Sequence, residues 1–397
     1  MTSLSTTEFD ATAAVDGAGG TWTSVKDAPV AVNWQGADDN AVLLADGRVL
    51  VAGGQEVGFR SSPASAVFDP GPGSWTATGP LRTGRSGHTL TLLPDGTVLA
   101  TGGLPTPEVS PAGLATAERF DPKTRTWGPA SPNPMSAERA AHTATLLADG
   151  RVLLAGGYAT RANVESTTDS AEIYDPIAKT WTPTAPMNEA RSVHTAVLLH
   201  DGRVLVIGGT VSVGRGHYTA LAFCEVFDPV TGTWTPTGSM ARPRFDNTAT
   251  VLTDGTVLVT GGGWRGWIAD WVFNAHNDWT TERYNPTSGT WSRDADLSCA
   301  RLYHRAVLLR DGRVLVLGGV DASNMSTGFR STALYDPLTR QWSPAAGLAT
   351  GRWAFGALAL ADGRVLVTGG VEHLDWSATD WRLTVSTEIY TPPKGEQ

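Results

Sequence analysis

Short apolar runs of four to six residues recur along this chain, and turn residues separate them at regular distances. RSGHTLTLLPDGTVLATGG (85–103), RAAHTATLLADGRVLLAGG (139–157) and RSVHTAVLLHDGRVLVIGG (191–209) are three copies of one unit. In each copy two apolar runs flank a short Asp-Gly turn and end at a pair of glycines. Such runs joined by Asp-Gly predict an antiparallel β-hairpin.

The unit repeats about every 50 residues, which is the period of a propeller blade. The paired glycines begin at Gly53, Gly102, Gly156, Gly208, Gly261, Gly318 and Gly369. After each pair, an aromatic residue precedes Asp-Pro or a variant of it, and in six repeats a Trp follows this second turn. Each repeat therefore predicts four strands, A and B around Asp-Gly, and C and D around Asp-Pro. Four strands per unit are typical of one blade of a β-propeller.

The two ends of the chain predict how the ring closes. The seventh repeat stops at IYTPPKGEQ without its strand D, and Thr21-Trp22-Thr23 near the N-terminus has the missing pattern. A strand from the N-terminus that completes the last blade removes an exposed sheet edge. We therefore expect an all-β chain with a single seven-bladed propeller over residues 21–392. Residues 1–20 are expected to form a flexible tail, and 393–397 a short C-terminal tail.

The double glycine, the aromatic residue and Trp around the Asp-Pro turn, and Arg-x-x-His before strand A resemble kelch repeats over nearly the whole chain. The resemblance implies the propeller fold. It does not imply one function, because kelch propellers include protein-binding adaptors, a copper oxidase domain, iron-dependent plant specifier proteins and sugar epimerases. The function therefore has to be argued from the site.

One segment, Arg301-Leu302-Tyr303-His304, is similar to a copper-ligating segment of galactose oxidase. The resemblance would make Tyr303 and His304 metal ligands. That family also requires a Tyr cross-linked to a Cys of an early blade, and a His from an extra domain. In this chain the early blades have Gly87-His88 and no Cys. We therefore do not expect copper-radical chemistry, although Tyr303 and His304 are expected to face the channel mouth.

Charge and composition exclude several classes of protein. The net charge is −9 without a basic cluster, which argues against nucleic acid and against anionic membrane surfaces. No stretch of eighteen apolar residues is long enough to cross a membrane. Two cysteines are too few for a disulfide framework, and the N-terminus does not resemble a signal peptide. We expect a cytoplasmic monomer.

The D–A and B–C connections are long and variable, so the face that carries them is the expected functional face. Eight Trp residues outside the repeat pattern lie in these connections, mostly in blades 5, 7 and 1. Two interpretations are open: the rings form a small core within long loops, or they line a pocket for a partly apolar ligand. We predict a pocket with aromatic walls.

Acidic and phenolic residues break the pattern in the same sector. Just before the His position, blades 5 and 6 have Asp246 and Tyr303, where most other blades are small or apolar. With His304 they are the predicted proton-transfer residues, because a carboxylate beside apolar walls suits general acid–base work. The predicted substrate-binding residues are Trp34, Asp38, Trp264, Trp267, Trp271, His276, Trp353, Phe355, His373, Trp376 and Trp381.

These residues predict an enzyme that acts on a small molecule by acid–base isomerisation, cyclisation or elimination, with specialised metabolism as one setting. The alternative is a propeller that binds a protein, a peptide or a carbohydrate without catalysis. No cofactor is predicted. The competing hypothesis is a divalent metal at the repeated His-x-Asp-Trp motif, with His276, Asp278, His373 and Asp375 as ligands.

Overall fold

The structure is a computed structural model that describes residues 19–33, 41–105, 113–161, 164–214, 217–265, 276–321, 327–375 and 380–393. These residues form 38 β-strands joined by turns and loops. The strands make seven four-stranded sheets and five two-stranded hairpins, which confirms the predicted all-β propeller of seven blades. The described ranges contain no helix long and apolar enough to cross a membrane.

Each blade has four antiparallel strands, which run in order from the inner strand A to the outer strand D. Blade 1 contains β2 (Ala41–Leu43), β3 (Val49–Ala52), β6 (Ser65–Asp69) and β7 (Ser74–Ala77). Blade 2 contains β8 (Thr89–Leu92), β9 (Val98–Thr101), β10 (Ala117–Asp121) and β11 (Thr126–Pro129). Blade 3 contains β12 (Thr143–Leu146), β13 (Val152–Ala155), β16 (Ala171–Asp175) and β17 (Thr180–Pro183). Blade 4 contains β18 (Thr195–Leu198), β19 (Val204–Ile207), β22 (Cys224–Asp228) and β23 (Thr233–Pro236).

The remaining blades follow the same order. Blade 5 contains β24 (Thr248–Val251), β25 (Val257–Thr260), β28 (Thr281–Asn285) and β29 (Thr290–Arg293). Blade 6 contains β30 (Arg305–Leu308), β31 (Val314–Leu317), β32 (Thr332–Asp336) and β33 (Gln341–Ala345). Blade 7 contains β34 (Gly356–Ala359), β35 (Val365–Thr368), β38 (Thr387–Thr391) and β1 (Thr21–Val25).

The B–C loops of five blades form hairpins of their own on the variable face. They are β4 (Gln55–Glu56) with β5 (Arg60–Ser61), β14 (Tyr158–Arg161) with β15 (Val164–Thr167), β20 (Thr210–Gly214) with β21 (His217–Ala220), β26 (Gly263–Arg265) with β27 (His276–Asn277), and β36 (Val371–Asp375) with β37 (Asp380–Leu383). β15 packs beside β20, and β21 packs beside β26, so neighbouring hairpins form a continuous wall over blades 3 to 5.

The ring is closed by strand pairing between the two ends of the chain. Inner strands of successive blades lie side by side all round the ring, and β34 lies beside β2. β1 pairs antiparallel with β38, and Trp22 lies opposite Tyr390. The predicted completion of the last blade by an N-terminal strand is therefore confirmed. Most of the predicted tails, residues 1–18 and 394–397, lie outside the described residues.

An aromatic pair holds strand C to strand D in every blade. The Trp of strand D packs on the aromatic residue of strand C with ring centroids 4.7 to 5.1 Å apart; the pairs are Trp22–Tyr390, Phe68–Trp75, Phe120–Trp127, Tyr174–Trp181, Phe227–Trp234, Tyr284–Trp291 and Tyr335–Trp342. Such tilted pairs are a favourable aromatic geometry. Seven repetitions of one contact identify these Trp residues as scaffold.

The paired glycines let neighbouring blades approach closely. Gly261, the first of its pair, has a φ of +59°, a conformation that suits glycine. A Cβ at Gly261 would lie 2.6 Å from His304 Cε1 and 2.8 Å from the Arg301 carbonyl oxygen of blade 6. Glycine is therefore required here for both its backbone conformation and its lack of a side chain.

A buried ion pair ties the D–A segment of a blade to its strand C in five blades. The guanidinium and carboxylate lie 2.7 to 3.0 Å apart in Arg85–Glu118, Arg139–Glu172, Arg191–Glu225, Arg244–Glu282 and Arg352–Glu388. Each arginine also donates to the carbonyl oxygen of the first paired glycine, as Arg139 does to Gly156 at 2.8 Å. Loss of one partner of such a buried pair typically costs about 3–5 kcal/mol.

Candidate functional site

A ring of residues in the left-handed backbone region surrounds the channel on the variable face. They occupy one position in six blades, with φ between +46° and +59°: Gly87, Ala141, Val193, Asp246, Tyr303 and Ala354. Their amides link the blades, since Ala141 N–H donates to Gly87 O at 2.8 Å and Val193 N–H donates to Ala141 O at 3.0 Å. The repeated strain therefore belongs to the scaffold, whereas the side chains at this ring differ.

Asp246 and Tyr303 are neighbours on this ring, and the Asp246 carboxylate acts electrostatically on the Tyr303 hydroxyl. Burial raises the pKa of Tyr303 well above its usual value, and the Asp246 charge raises it further. Tyr303 therefore stays protonated at neutral pH, and it can orient the partly buried carboxylate but cannot itself act as a base.

An apolar layer lies beside this pair on blades 5 to 7. Tyr303 stacks on Trp353, with ring centroids 5.4 Å apart and planes inclined by 28°. Phe245, Leu302 and Val371 belong to the same buried cluster. The indole of Trp353 has no exposed surface.

The apolar layer includes residues from one position that recurs in every blade and that was not predicted from the sequence. In each D–A segment one residue pairs with the residue that follows the double glycine; these D–A residues are Asn33, Ser86, Ala140, Ser192, Phe245, Leu302 and Trp353. Six of them directly follow the recurrent Arg, and Asn33 is their counterpart in blade 1, which has no such Arg. This position is polar or small in blades 1 to 4 and apolar in blades 5 to 7. The mouth therefore has a polar half and an apolar half, and aligning six of the repeats one residue after Arg gives the signal.

Two predicted ligand-contacting residues are instead packing residues, which corrects the interpretation from the sequence. Trp353 is fully enclosed in the apolar layer, so it supports Tyr303 from below rather than facing a ligand. Phe355 is also without exposed surface and fills the contact between blades 6 and 7, where a Cβ on Gly318 would lie 2.5 Å from its ring. Arg305 donates to the Phe355 carbonyl oxygen at 2.9 Å.

His304 needs a similar correction. Its Nε2 lies 3.1 Å from the hydroxyls of Thr248 and Thr260 in the preceding blade, and the ring is almost completely buried. Burial, aided by Arg301, lowers the pKa of His304 to about 3. His142 makes the same contact with Thr101 at 3.0 Å. His304 therefore belongs with the scaffold histidines that join neighbouring blades, and we do not retain it as a proton-transfer residue.

The structure describes the side chains of some of the other predicted residues and only the backbone of others. Trp264 is partly buried, and the Arg242 guanidinium lies 5.9 Å from the centre of its ring. His373 is partly buried in β36, and its backbone pairs with Thr327 of blade 6. The backbones of His276 and Trp381 lie in β27 and β37, but their side chains are outside the described set. Five predicted residues lie outside the described ranges altogether: Trp34, Asp38, Trp267, Trp271 and Trp376.

The competing metal hypothesis loses one of its four ligands to an ion pair. Asp278 has no exposed surface, and its carboxylate lies 3.4 Å from the Arg244 guanidinium. It also accepts the Thr280 N–H at 2.8 Å. Among the side chains that the structure describes, which do not include those of His276 and Asp375, no three of His, Cys, Asp or Glu lie close enough together to hold a metal ion. Asp278 is therefore explained by its scaffold contacts.

Comparison with known proteins identifies kelch motifs in part of the chain. The profile described as Kelch motif matches residues 139–188 and 191–241, which correspond to blades 3 and 4. Two of the seven blades of the propeller therefore carry kelch motifs. This kelch-repeat propeller is 30% identical to Kelch-like protein terF of Aspergillus terreus over 216 residues, which are 52% of the chain and 44% of that relative. It is 26% identical to Kelch-like protein 26 of Danio rerio over 65% of the chain and 40% of that relative. The chain thus spans less than half the length of either relative.

Solved structures share the architecture of the kelch-repeat propeller. A fungal alcohol oxidase of the AA5 family, solved in complex with copper, superposes with a TM-score of 0.69 and 18% identity over 95% of this chain and 77% of that chain. The structure of YjhT superposes with a TM-score of 0.59 and 14% identity over 81% of this chain and 99% of that chain. Identities this low show the shared fold alone.

The residues at the mouth do not fit the copper ion of that oxidase structure. His304 Nε2 is engaged by two threonine hydroxyls between blades, and the buried Tyr303 hydroxyl lies in the field of the Asp246 carboxylate. The first three blades contain no Cys in the sequence. We therefore derive no chemistry through copper.

Proposed function

We propose that this kelch-repeat propeller is an enzyme that binds a partly apolar small molecule at its variable face and moves a proton of that substrate with Asp246. The observation that carries the proposal is the Asp246–Tyr303 pair at the channel mouth. A carboxylate that is partly exposed, lies beside a buried hydroxyl and is bordered by an apolar layer has the properties of a general base.

Each part of the mouth has a role in this proposal. Asp246 takes a proton from the substrate, which is the step that isomerisation, cyclisation and elimination share. The protonated carboxyl then gives the proton to another atom of the substrate in isomerisation and cyclisation, and to the departing group in elimination. Tyr303 holds the carboxylate in place, and Trp353 fixes the Tyr303 ring by stacking. Trp264 and the hairpin wall of blades 3 to 5 are proposed to border the substrate. Both cysteines are free thiols, which supports the proposed cytoplasmic location.

A test of the catalytic role compares wild type with D246N and Y303F. The proteins are incubated with a metabolite extract of the source cells, and mass spectrometry identifies compounds that only the wild type consumes. D246N should slow their turnover by about 10²–10⁴-fold, the usual contribution of general acid–base catalysis. Y303F should lower turnover less, because the carboxylate remains but loses its orientation.

Matched controls separate catalysis from folding. Y174F removes another buried hydroxyl, which donates to Ala130 O at 2.7 Å on the scaffold, and should cost about 1 kcal/mol of stability without changing turnover. D149N changes an exposed turn carboxylate on the opposite face. If wild type and D246N leave the same compounds unchanged, the enzymatic proposal is wrong.

Protein or peptide binding is the second candidate, and exposed apolar side chains favour it. Phe59 is 48% exposed, Val213 63% and Trp279 49%, and all three lie in or beside the B–C hairpins. Large apolar side chains that stay exposed on one face often mark a docking surface. Phe59 lies in the blade 1 hairpin, outside the wall that is proposed to border the substrate. Replacing Phe59 by serine should weaken partner binding under this alternative, and should leave turnover largely unchanged under the enzymatic one. Carbohydrate binding would be detected as retention of sugars without any consumed compound.

A further inference from the structure

Blade 6 keeps the arginine of the buried Arg–Glu pair but lacks the glutamate. Ala333 occupies the position of the strand C glutamate, while Arg301 remains. In blade 1, Ala66 occupies the glutamate position. Val32 occupies the arginine position, because its carbonyl oxygen accepts the Gly370 N–H at 3.0 Å as the Arg85 carbonyl oxygen accepts the Gly54 N–H at 2.8 Å. Blade 1 therefore lacks both the arginine and the glutamate, whereas blade 6 keeps the arginine without the glutamate.

Arg301 is held as its counterparts are, but without a carboxylate. Its guanidinium donates to Gly318 O and Ser331 O, each at 2.8 Å, and to the Ser331 hydroxyl at 2.8 Å. Its side chain is buried, with 1% of the residue surface exposed. All of these acceptors are neutral, and none of the described residues provides a carboxylate within 4.0 Å of it. An unpaired buried charge is unfavourable, so this position favours an anion.

A nearby aromatic ring does not replace the missing charge. Arg301 lies 5.6 Å from the Phe329 ring centre. Arg191 has the same arrangement with Phe223 at 5.5 Å and still pairs with Glu225 at 2.9 Å. Blade 4 therefore has both the aromatic contact and the carboxylate, whereas blade 6 has the aromatic contact alone.

In the five blades with a buried Arg–Glu pair, the strand C glutamate also accepts a hydrogen bond from a backbone N–H. Blade 6 has the same N–H but no glutamate to accept from it. Each accepts the backbone N–H three residues before its arginine, as Glu172 does from Ser136 at 3.0 Å and Glu388 from Ala349 at 2.7 Å. The equivalent N–H in blade 6 belongs to Ser298, which has no acceptor in the described part of the chain. Ser298 is exposed and Cys299 partly exposed, so solvent reaches this edge.

We propose that blade 6 binds a small carboxylate anion between the Arg301 guanidinium and the Ser298 N–H, in the place that glutamate fills in five other blades. A carboxylate there accepts charge-assisted hydrogen bonds from both groups. The anion is a free carboxylic acid or the Asp or Glu side chain of a partner, which share this chemistry. The proposed anion is held by Arg301 and Ser298 and not by the Asp246–Tyr303 pair, so the site does not depend on the proposed enzymatic activity.

The test follows the melting temperature with increasing sodium formate at fixed ionic strength. The wild type should become more stable, with a dissociation constant on the order of 1–100 mM, because three heavy atoms limit the affinity. A333E supplies the missing carboxylate within the chain. It should melt several degrees higher without formate and lose the formate response. Equal formate responses in wild type and A333E would overturn the proposal.

Two further measurements make the result independent of how well A333E folds. E172A creates the same vacancy in blade 3 and should lower the melting temperature and gain a formate response, which shows that the assay detects such a site. Titration of ¹³C-formate by NMR should show saturable binding to the wild type, and its absence would also contradict the proposal. A glutamate residue blocked at both ends is the second ligand: if it stabilises the wild type at lower concentrations than formate does, the occupant is a partner side chain, and if only formate stabilises it, the occupant is a free acid.

Discussion

A chain that starts after residue 25 is expected to lose at least about 5 kcal/mol of stability, and most of it should not fold at 37 °C. Removing β1 leaves β38 as an exposed edge and deletes Trp22, whose Nε1 donates to Ala346 O at 2.6 Å. Truncation of a packed Trp alone costs about 3–5 kcal/mol. The Tyr390 hydroxyl also loses its acceptor, Gly19 O at 2.9 Å. Because typical domains are stable by only about 5–15 kcal/mol, this loss approaches the total.

A chain that starts at Gly19 is the matched control, because it keeps all of β1. The difference between the two melting curves measures the strand and not the removal of residues before it. The variant W22A should lie between the two. Equal melting temperatures for the chains that start at residues 19 and 26 would show that the ring is stable without its closing strand.

Acidification is expected to unfold this protein well above pH 4. His88 and His304 are completely buried, and burial lowers the pKa of each to about 3. His142 and His194 are shifted in the same direction. In the unfolded chain these groups titrate near 6.5, so between pH 6.5 and 3 the unfolded state binds more protons. The stability that the neutral rings provide is present above pH 6.5 and is lost as the pH falls.

The expected loss for His88 and His304 is about 1.4 kcal/mol per histidine and per pH unit, or roughly 2 kcal/mol for each at pH 5. Chemical denaturation at pH 7.5, 6.5, 5.5 and 4.5 measures it. The chain offers its own control variant, since Asn247 replaces the histidine in blade 5 and donates to Thr195 Oγ1 at 3.1 Å. H304N should keep the contact between blades. It should take up one proton fewer on unfolding, so that its stability falls less steeply with falling pH. An unchanged slope in H304N would show that His304 does not cause it.

The candidate site was found from the sequence where a side chain differed from its equivalents in other blades. Asp246 and Tyr303 differ from Ala141 and Val193 in chemistry while sharing their backbone conformation. That contrast is visible in the letters alone. The interaction between them was not predictable, because it depends on two neighbouring blades that bring together residues 57 positions apart in the chain.

At other positions the prediction was wrong because the sequence does not show in which direction a side chain points. His304 and Phe355 directly follow residues of the mouth ring, so the sequence placed them with it. The left-handed conformation at Tyr303 and Ala354 turns the next side chain away from the mouth and into the contact between blades. Since a repeat pattern records spacing and not direction, it could not show this turn.

By itself, the sequence determined the number of blades, the four strands of each and the way the ring closes. These features repeat seven times, and each depends on local turns, on glycine pairs and on one aromatic contact within a blade. Tertiary structure alone decided which side chains are buried between blades and which reach the mouth. It also showed that Arg301 lacks the partner its counterparts have. Those outcomes depend on packing between residues far apart in the chain, and the interactions concerned are present only once the ring has closed.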